Sequence, residues 1–220
     1  MKKIAILQLG GIGHLGTFSF HETKNIQSGE GGLISINDQA FIKRSEIIWE
    51  KGTNRAEFFR GEINKYGWVD TGSSFLTSDI IAAFLYAQIE ELHTIQERRL
   101  SIWQRYYQEL LPFSKKGVKL PYIPSYATNN AHMFYLVLPS LKERSYFISR
   151  MKEMGCSPVF HYLSLHKSDF YKDKHDGRIL TNSDRYSDCL VRLPFYFELQ
   201  DDGLDRVVES AKKALEEICK

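Results

Sequence analysis

The chain has 220 residues and a mass of 25.5 kDa, room for one generous domain or two small ones. Hydrophobic residues at 43% and charged residues at 25% lie near globular averages, which excludes a disordered, collagen-like or coiled-coil chain. With 29 basic against 27 acidic side chains the net charge is +2, too balanced for a dedicated nucleic-acid or membrane-surface binder. Cys156, Cys189 and Cys219 are odd in number and far apart, so they fit neither a disulfide framework nor a zinc ribbon and point to a cytoplasmic setting. The opening residues 1–7 are basic and apolar, but the apolar run stops at Gln8, short of a secretory core. No stretch approaches the ~20 apolar residues of a membrane helix, so neither membrane nor nucleic acid is expected as a partner.

In chain order, Thr17-Phe18-Ser19-Phe20 alternates, Gly29-Glu30-Gly31-Gly32 breaks, and Leu33-Ile34-Ser35-Ile36 resumes, which predicts two neighbouring strands. Asp38 can cap a helix with Phe41, Ile42, Ile48 and Trp49 on one face, ended at Gly52. Residues 51–74 read as a long ordered loop with short elements inside, a length more often functional than idle. Ser78 and Asp79 can cap one very long helix, running through Ile95 and Trp103 to Pro112 and spanning on the order of 45 Å, which predicts a connection between two lobes. The domains expected are therefore 1–112 and 113–220. In the second, the pattern predicts a strand at 133–138, a helix at 141–154, a strand at 158–163, a short helix at 184–190 and a closing helix at 202–218.

Gly11-Ile12-Gly13-His14-Leu15-Gly16 matches the dinucleotide fingerprint G-x-G-x-x-G, and residues 3–9 can pass for its first strand. That motif needs a helix opening inside it, so that the positive helix end faces a pyrophosphate, yet Thr17 to His21 alternates like a strand. The glycines read better as turn residues, and an NAD-dependent oxidoreductase is the least favoured alternative.

The most informative text is Ser19-Phe20-His21-Glu22-Thr23-Lys24-Asn25 followed by Gly29-Glu30-Gly31-Gly32. A lysine at a strand end, among a hydroxyl, an imidazole and a glycine turn, can hold its amine against a carbonyl-bearing cofactor. By position alone the bland reading, a solvated lysine on ordinary sheet, stays ahead. The spacing S-F-H-x-x-K-N with G-E-G-G resembles the DegT/DnrJ/EryC1/StrS sugar-nucleotide aminotransferases, which depend on pyridoxal phosphate. Glu50-Lys51-Gly52-Thr53-Asn54-Arg55, Lys65-Tyr66-Gly67-Trp68-Val69-Asp70, Gly72-Ser73-Ser74-Phe75-Leu76 and Asn130-Ala131-His132-Met133-Phe134-Tyr135 resemble the branch that makes dTDP-4-amino-4,6-dideoxygalactose, an association that suggests surface glycans such as enterobacterial common antigen.

The resemblance implies an α/β fold, part of a fold-type I aminotransferase: a remnant of the large cofactor domain plus a small α+β carboxyl-terminal domain. It implies that Lys24 forms the Schiff base with pyridoxal 5'-phosphate and shuttles the proton, and that Ser19 binds the cofactor phosphate. In relatives the loop matching residues 72–76 reaches into a partner subunit's site, often with asparagine at this place, so the resemblance makes Ser74 a candidate for a phosphate role across a homodimer. By the same resemblance Asn54 and Arg55 are candidates to meet a nucleotide phosphate, although solvated loop residues are the commoner outcome. His161-Tyr162-Leu163-Ser164-Leu165-His166 resembles the family's H-Y-x-P-L-H segment, so His161 and His166 are candidate substrate contacts, with Ser164 in place of the usual proline. The same two histidines offer no convincing metal site. The substrates implied are L-glutamate and dTDP-4-dehydro-6-deoxyglucose. In the family a long amino-terminal region precedes the lysine and carries the aspartate and aromatic ring that hold the pyridine; its lack here leads us to expect a truncated chain, inactive alone or completed by a partner. A noncatalytic remnant or interaction module is the main alternative.

Overall fold

A computed structural model describes residues 8–219. The opening residues 1–7, with most of the candidate first strand at 3–9, lie outside the described residues. Contacts divide the chain into two compact units, Met1–Leu92 and His93–Lys220.

The first unit begins with a hairpin. Strands β1 (Leu15–Ser19) and β2 (Gly32–Ile36) pair antiparallel, Leu15 opposite Ile36 and Ser19 opposite Gly32. G-x-G-x-x-G therefore runs into a strand, and the helix that a dinucleotide site needs is replaced by β1. Asn37 ties the hairpin to the preceding turn, its Nδ2 donating to Gly10 O at 2.7 Å and Gly13 O at 2.9 Å. Asp38 accepts from Ala40 N at 2.9 Å and caps a 3-10 turn that leads into helix α1 (Ile42–Trp49). Short helix α2 (Arg55–Phe59) lies inside the predicted loop, and the loop returns as a strand-like stretch along the end of α1, where Ser73 N donates to Ile48 O and Phe75 N to Trp49 O. Gly52, at φ +80°, and Gly72 let the two ends of the loop touch backbone to backbone: a Cβ on Gly52 would lie 1.9 Å from Asp70 O.

Helix α3 (Asp79–Glu90) starts at Ser78, whose hydroxyl accepts from Ile81 N. Among the described residues of this unit no large apolar side chain is buried, and Trp68, Ile80 and Tyr86 are 84%, 83% and 64% exposed. No helix among the described residues is long and apolar enough to cross a membrane.

The predicted single helix from Ser78 to Pro112 is two. It stops after α3, and helix α4 (Leu92–Leu110) follows beyond Glu91. At about 1.5 Å per residue α4 spans roughly 28 Å. Its buried stripe, Ile95, Arg99, Ile102, Trp103, Tyr106 and Leu110, has helical spacing and packs into the second unit, so contacts group α4 with that unit although the sequence pattern ended the first domain at 112. Pro112 and a 3-10 turn end it.

A small antiparallel sheet completes the second unit, β3 (Tyr135–Val137), β4 (Val159–Phe160) and β5 (Leu190–Arg192), ordered β3-β5-β4. Helices α5 (Leu141–Glu153) and α6 (Thr181–Cys189) pack against β5, and α7 (Asp201–Ile218) packs on α5. Ser140 caps α5 by accepting from Glu143 N. The core joins Tyr106 and Leu110 to Phe134, Leu136, Phe147, Met151, Val191, Val208 and Leu215, all fully buried or nearly so. The predicted strand at 158–163 is only two residues long, and the predicted helix at 184–190 begins earlier and yields at its end to β5.

Candidate functional site

Lys24 rides on the narrow end of the β1–β2 hairpin. Beyond the strands the ladder continues through Phe20 N to Gly31 O at 2.9 Å, Ser28 N to Phe20 O at 2.8 Å and Glu22 N to Gly29 O at 2.9 Å. Lys24 N then donates to His21 O at 2.9 Å, closing a turn that needs Gly29 at φ +77°. His21 is fixed within this turn, its Nδ1 3.0 Å from Thr23 Oγ1 and its Nε2 3.6 Å from Glu30 Oε1. Buried Ser28 braces the far side by donating to Glu30 O at 2.9 Å. The Lys24 side chain is half-buried, and among the described residues no carboxylate lies within ion-pair distance of its amine. Ser19, at the end of β1, is exposed; its Oγ accepts from His21 N at 3.3 Å.

The second group of predicted residues sits on the 51–74 loop. Ser74 is exposed and bridges to Glu50 in an isolated antiparallel pair. Asn54 spends its side chain inside the loop, Oδ1 accepting from Gly67 N at 2.9 Å and Nδ2 donating to Glu57 Oε2 at 3.3 Å. Arg55 lies 3.7 Å from Glu50 Oε1 and 4.9 Å over the Phe59 ring. Glu57 pairs with Lys43 at 2.7 Å, which holds its carboxyl below the usual range.

The two histidines belong to the second unit and separate into different settings. His161 follows β4, is half-buried, and has a buried Nδ1 without a partner. Burial first, then the Arg192 charge, push its imidazole below the ordinary value. His166 lies in a 3-10 turn with Nε2 2.9 Å from Asp184 Oδ1, off the line an aligned hydrogen bond needs, so the contact is one of charge and proximity. Lys167 Nζ takes the other oxygen of Asp184 at 3.0 Å and, as the largest influence, depresses its carboxyl. Among the described residues no group of three His, Cys, Asp or Glu is placed to hold a metal.

Ser164, standing where the resembling segment has proline, is buried at φ −57°, a value that proline itself imposes, and accepts from Ser183 Oγ at 3.1 Å. Local rigidity is thus kept by a hydroxyl pair between the turn and α6. Pattern reading missed Asp184 as a partner of His166, because it looks like a first-turn helix acid. It also missed Arg192, which ends a strand, Leu190–Arg192, only three residues long and too short to show a periodicity.

A family model described as the DegT/DnrJ/EryC1/StrS aminotransferase family matches residues 7–212. The chain belongs to that family. Solved structures with the same fold include the aminotransferase TlmJ from Streptoalloteichus hindustanus, at 21% identity and TM-score 0.82, covering 96% of this chain and 54% of that one. The sugar aminotransferase CalS13 from Micromonospora echinospora matches at 21% identity and TM-score 0.80, over 93% of this chain and 53% of its own. The PLP-form of Spr1654 from Streptococcus pneumoniae matches at 22% identity and TM-score 0.78, over 96% and 54%. The expected fold, part of a fold-type I aminotransferase, is borne out, and the chain spans about half the length of these structures.

Proposed function

We propose that this chain carries the lysine-bearing portion of a pyridoxal-phosphate-dependent sugar-nucleotide aminotransferase, with Lys24 as the residue that anchors the cofactor. The observation that carries the reading is the Lys24 amine: half-buried on a cross-braced hairpin end, unneutralised among the described residues, in a chain that matches the family over residues 7–212. These residues fit the anchoring end of such a group, an amine to bond a carbonyl carbon and, at Ser19, an exposed hydroxyl suited to a phosphate oxygen.

Pyridoxal phosphate, when bound, supplies an aldehyde carbon for amine exchange and a ring that spreads the charge left by a departing proton. In this reading Lys24 Nζ would hold the group by that carbon and, as a free amine, would take up and return a proton at Nζ. Ser19 Oγ donates to the phosphate. The His21–Thr23–Glu30 contacts keep the turn from swinging, so the amine works from a fixed base. Ser74 meets a phosphate in a second copy's site, Asn54 and Arg55 border the nucleotide, and His161 and His166 contact the sugar. The donor is L-glutamate and the acceptor dTDP-4-dehydro-6-deoxy-D-glucose, giving, in the cytoplasm, dTDP-4-amino-4,6-dideoxy-D-galactose as a precursor of a surface polysaccharide. The working state is a homodimer.

The test is borohydride reduction of the purified chain with pyridoxal phosphate, followed by peptide mass spectrometry. A pyridoxyl group at Lys24, lost in Lys24→Ala, is the expected result. Labelling scattered over surface lysines with none enriched at Lys24 refutes it and favours the noncatalytic module.

A further inference from the structure

The register of the small sheet sorts its side chains by face. Leu136, Val191 and Phe160 form one row across β3, β5 and β4; Leu136 and Val191 are fully buried in the core. Tyr135, Arg192 and Val159 form the next row and so point to the opposite face. His161 leaves β4 beside this row and is close enough to Arg192 to feel its charge.

Arg192 is poorly satisfied there. Its Nη2 donates to Phe160 O at 3.3 Å and its guanidinium carbon lies 6.0 Å from the centre of the Tyr162 ring. Its Nε is buried without a partner, as is His161 Nδ1. Among the described residues no carboxylate lies within ion-pair distance of Arg192, whereas Arg150 has Glu217 at 2.9 Å and Arg98 has Asp201 at 2.9 Å. A half-buried guanidinium with most donors unspent, beside an imidazole lacking a partner, is costly unless something else satisfies both. A planar oxyanion does so, taking two guanidinium N–H groups in parallel while its charge favours a proton on the imidazole.

We propose that Arg192 and His161 form an oxyanion-binding subsite on the outer face of the β3-β5-β4 sheet, receiving a carboxylate or phosphate group of a substrate. The inference deepens the aminotransferase reading, on which the choice between amino donor and nucleotide sugar as the source of that anion rests.

The experiment follows the His161 imidazole resonance by NMR in the full chain while inorganic phosphate, dTDP or L-glutamate is added. A saturable shift, with the His161 pKa rising as anion binds, is expected for at least one probe. Tighter binding of dTDP than of L-glutamate assigns the phosphate source, and the reverse order assigns the carboxylate. Arg192→Gln should weaken binding at least about tenfold, the loss of a charge-assisted pair. Arg192→Lys, which keeps charge but not the fork, should weaken it about threefold or more. No saturable shift with any probe to about 50 mM, far weaker than any specific site of this kind, overturns the proposal, as does wild-type affinity in Arg192→Gln. Should that variant fail to fold by circular dichroism, wild-type affinity in Arg192→Lys overturns it instead. Lys24 labelling without anion binding sinks this inference alone; anion binding without Lys24 labelling leaves it standing and removes the cofactor reading.

Discussion

Replacing Tyr106 by phenylalanine tests whether the second unit is held by the bonds described for it. Tyr106 is fully buried on α4, and its hydroxyl donates to Pro194 O at 2.8 Å, two residues beyond Arg192. Phenylalanine keeps the ring and its packing against Phe134, whose centroid lies 5.3 Å away, so no large cavity is added. What is lost is one buried hydrogen bond, and the Pro194 carbonyl is left without a donor, about 1–3 kcal/mol. For a unit of this size that amounts to a fall in Tm of roughly 4 to 12 °C. Thermal and urea unfolding followed by circular dichroism at 222 nm reads the change. Tyr146→Phe is the control, since that hydroxyl bonds Glu217 at 2.9 Å on an exposed face, and its transition should stay in place. A Tyr106→Phe chain that melts with the wild type refutes the claim that this carbonyl depends on this hydroxyl.

Gly72→Ala should open the 51–74 loop, because its Cβ would lie 2.1 Å from Gly52 N; local opening easier by about 1 kcal/mol makes limited proteolysis in that loop about fivefold faster. Ser164→Pro should be at least as stable as Ser164→Ala in urea, since both lose the hydroxyl pair with Ser183 but proline suits φ −57° and stiffens the unfolded chain. Stability should fall on acidification in two stages. The depressed His161 takes up its proton more readily unfolded than folded, so its contribution is lost as pH drops below the ordinary histidine value. Glu217, depressed chiefly by Arg150 and then Tyr146, follows as pH falls from the ordinary carboxylate value through its folded one. His161→Gln should flatten the first stage and Glu217→Gln the second, in urea midpoints measured from pH 7 to 3.

The hairpin and the capped helices were legible because their signals are local. Phe18 and Ile34 alternate within strands joined by a glycine turn, and Asp38, Ser78 and Ser140 each precede the helix or turn that they cap. The stop at Glu91 was not legible, since apolar spacing runs on through it, whereas it is Ile102, Trp103 and Tyr106 of the later helix that pack in the second core. Strand β5 was hidden for a related reason: Leu190, Val191 and Arg192 follow α6 directly, and only pairing with Tyr135 and Val159, distant in sequence, makes them extended. The site divides the same way. Lys24 stands in a short, specific spelling, whereas the setting of Arg192 exists only once three separated segments lie side by side.

That order of strands also governs when the second unit can come into being. The β3 and β4 segments do not pair with each other; both wait for residues 190–192, and the core waits further for Val208 and Leu215 on α7. During synthesis from the amino end, the chain must leave the ribosome as far as residue 192 before this sheet has a centre, so Phe134, Leu136 and Phe147 emerge as unprotected apolar surface that chaperones can recognise until α7 arrives.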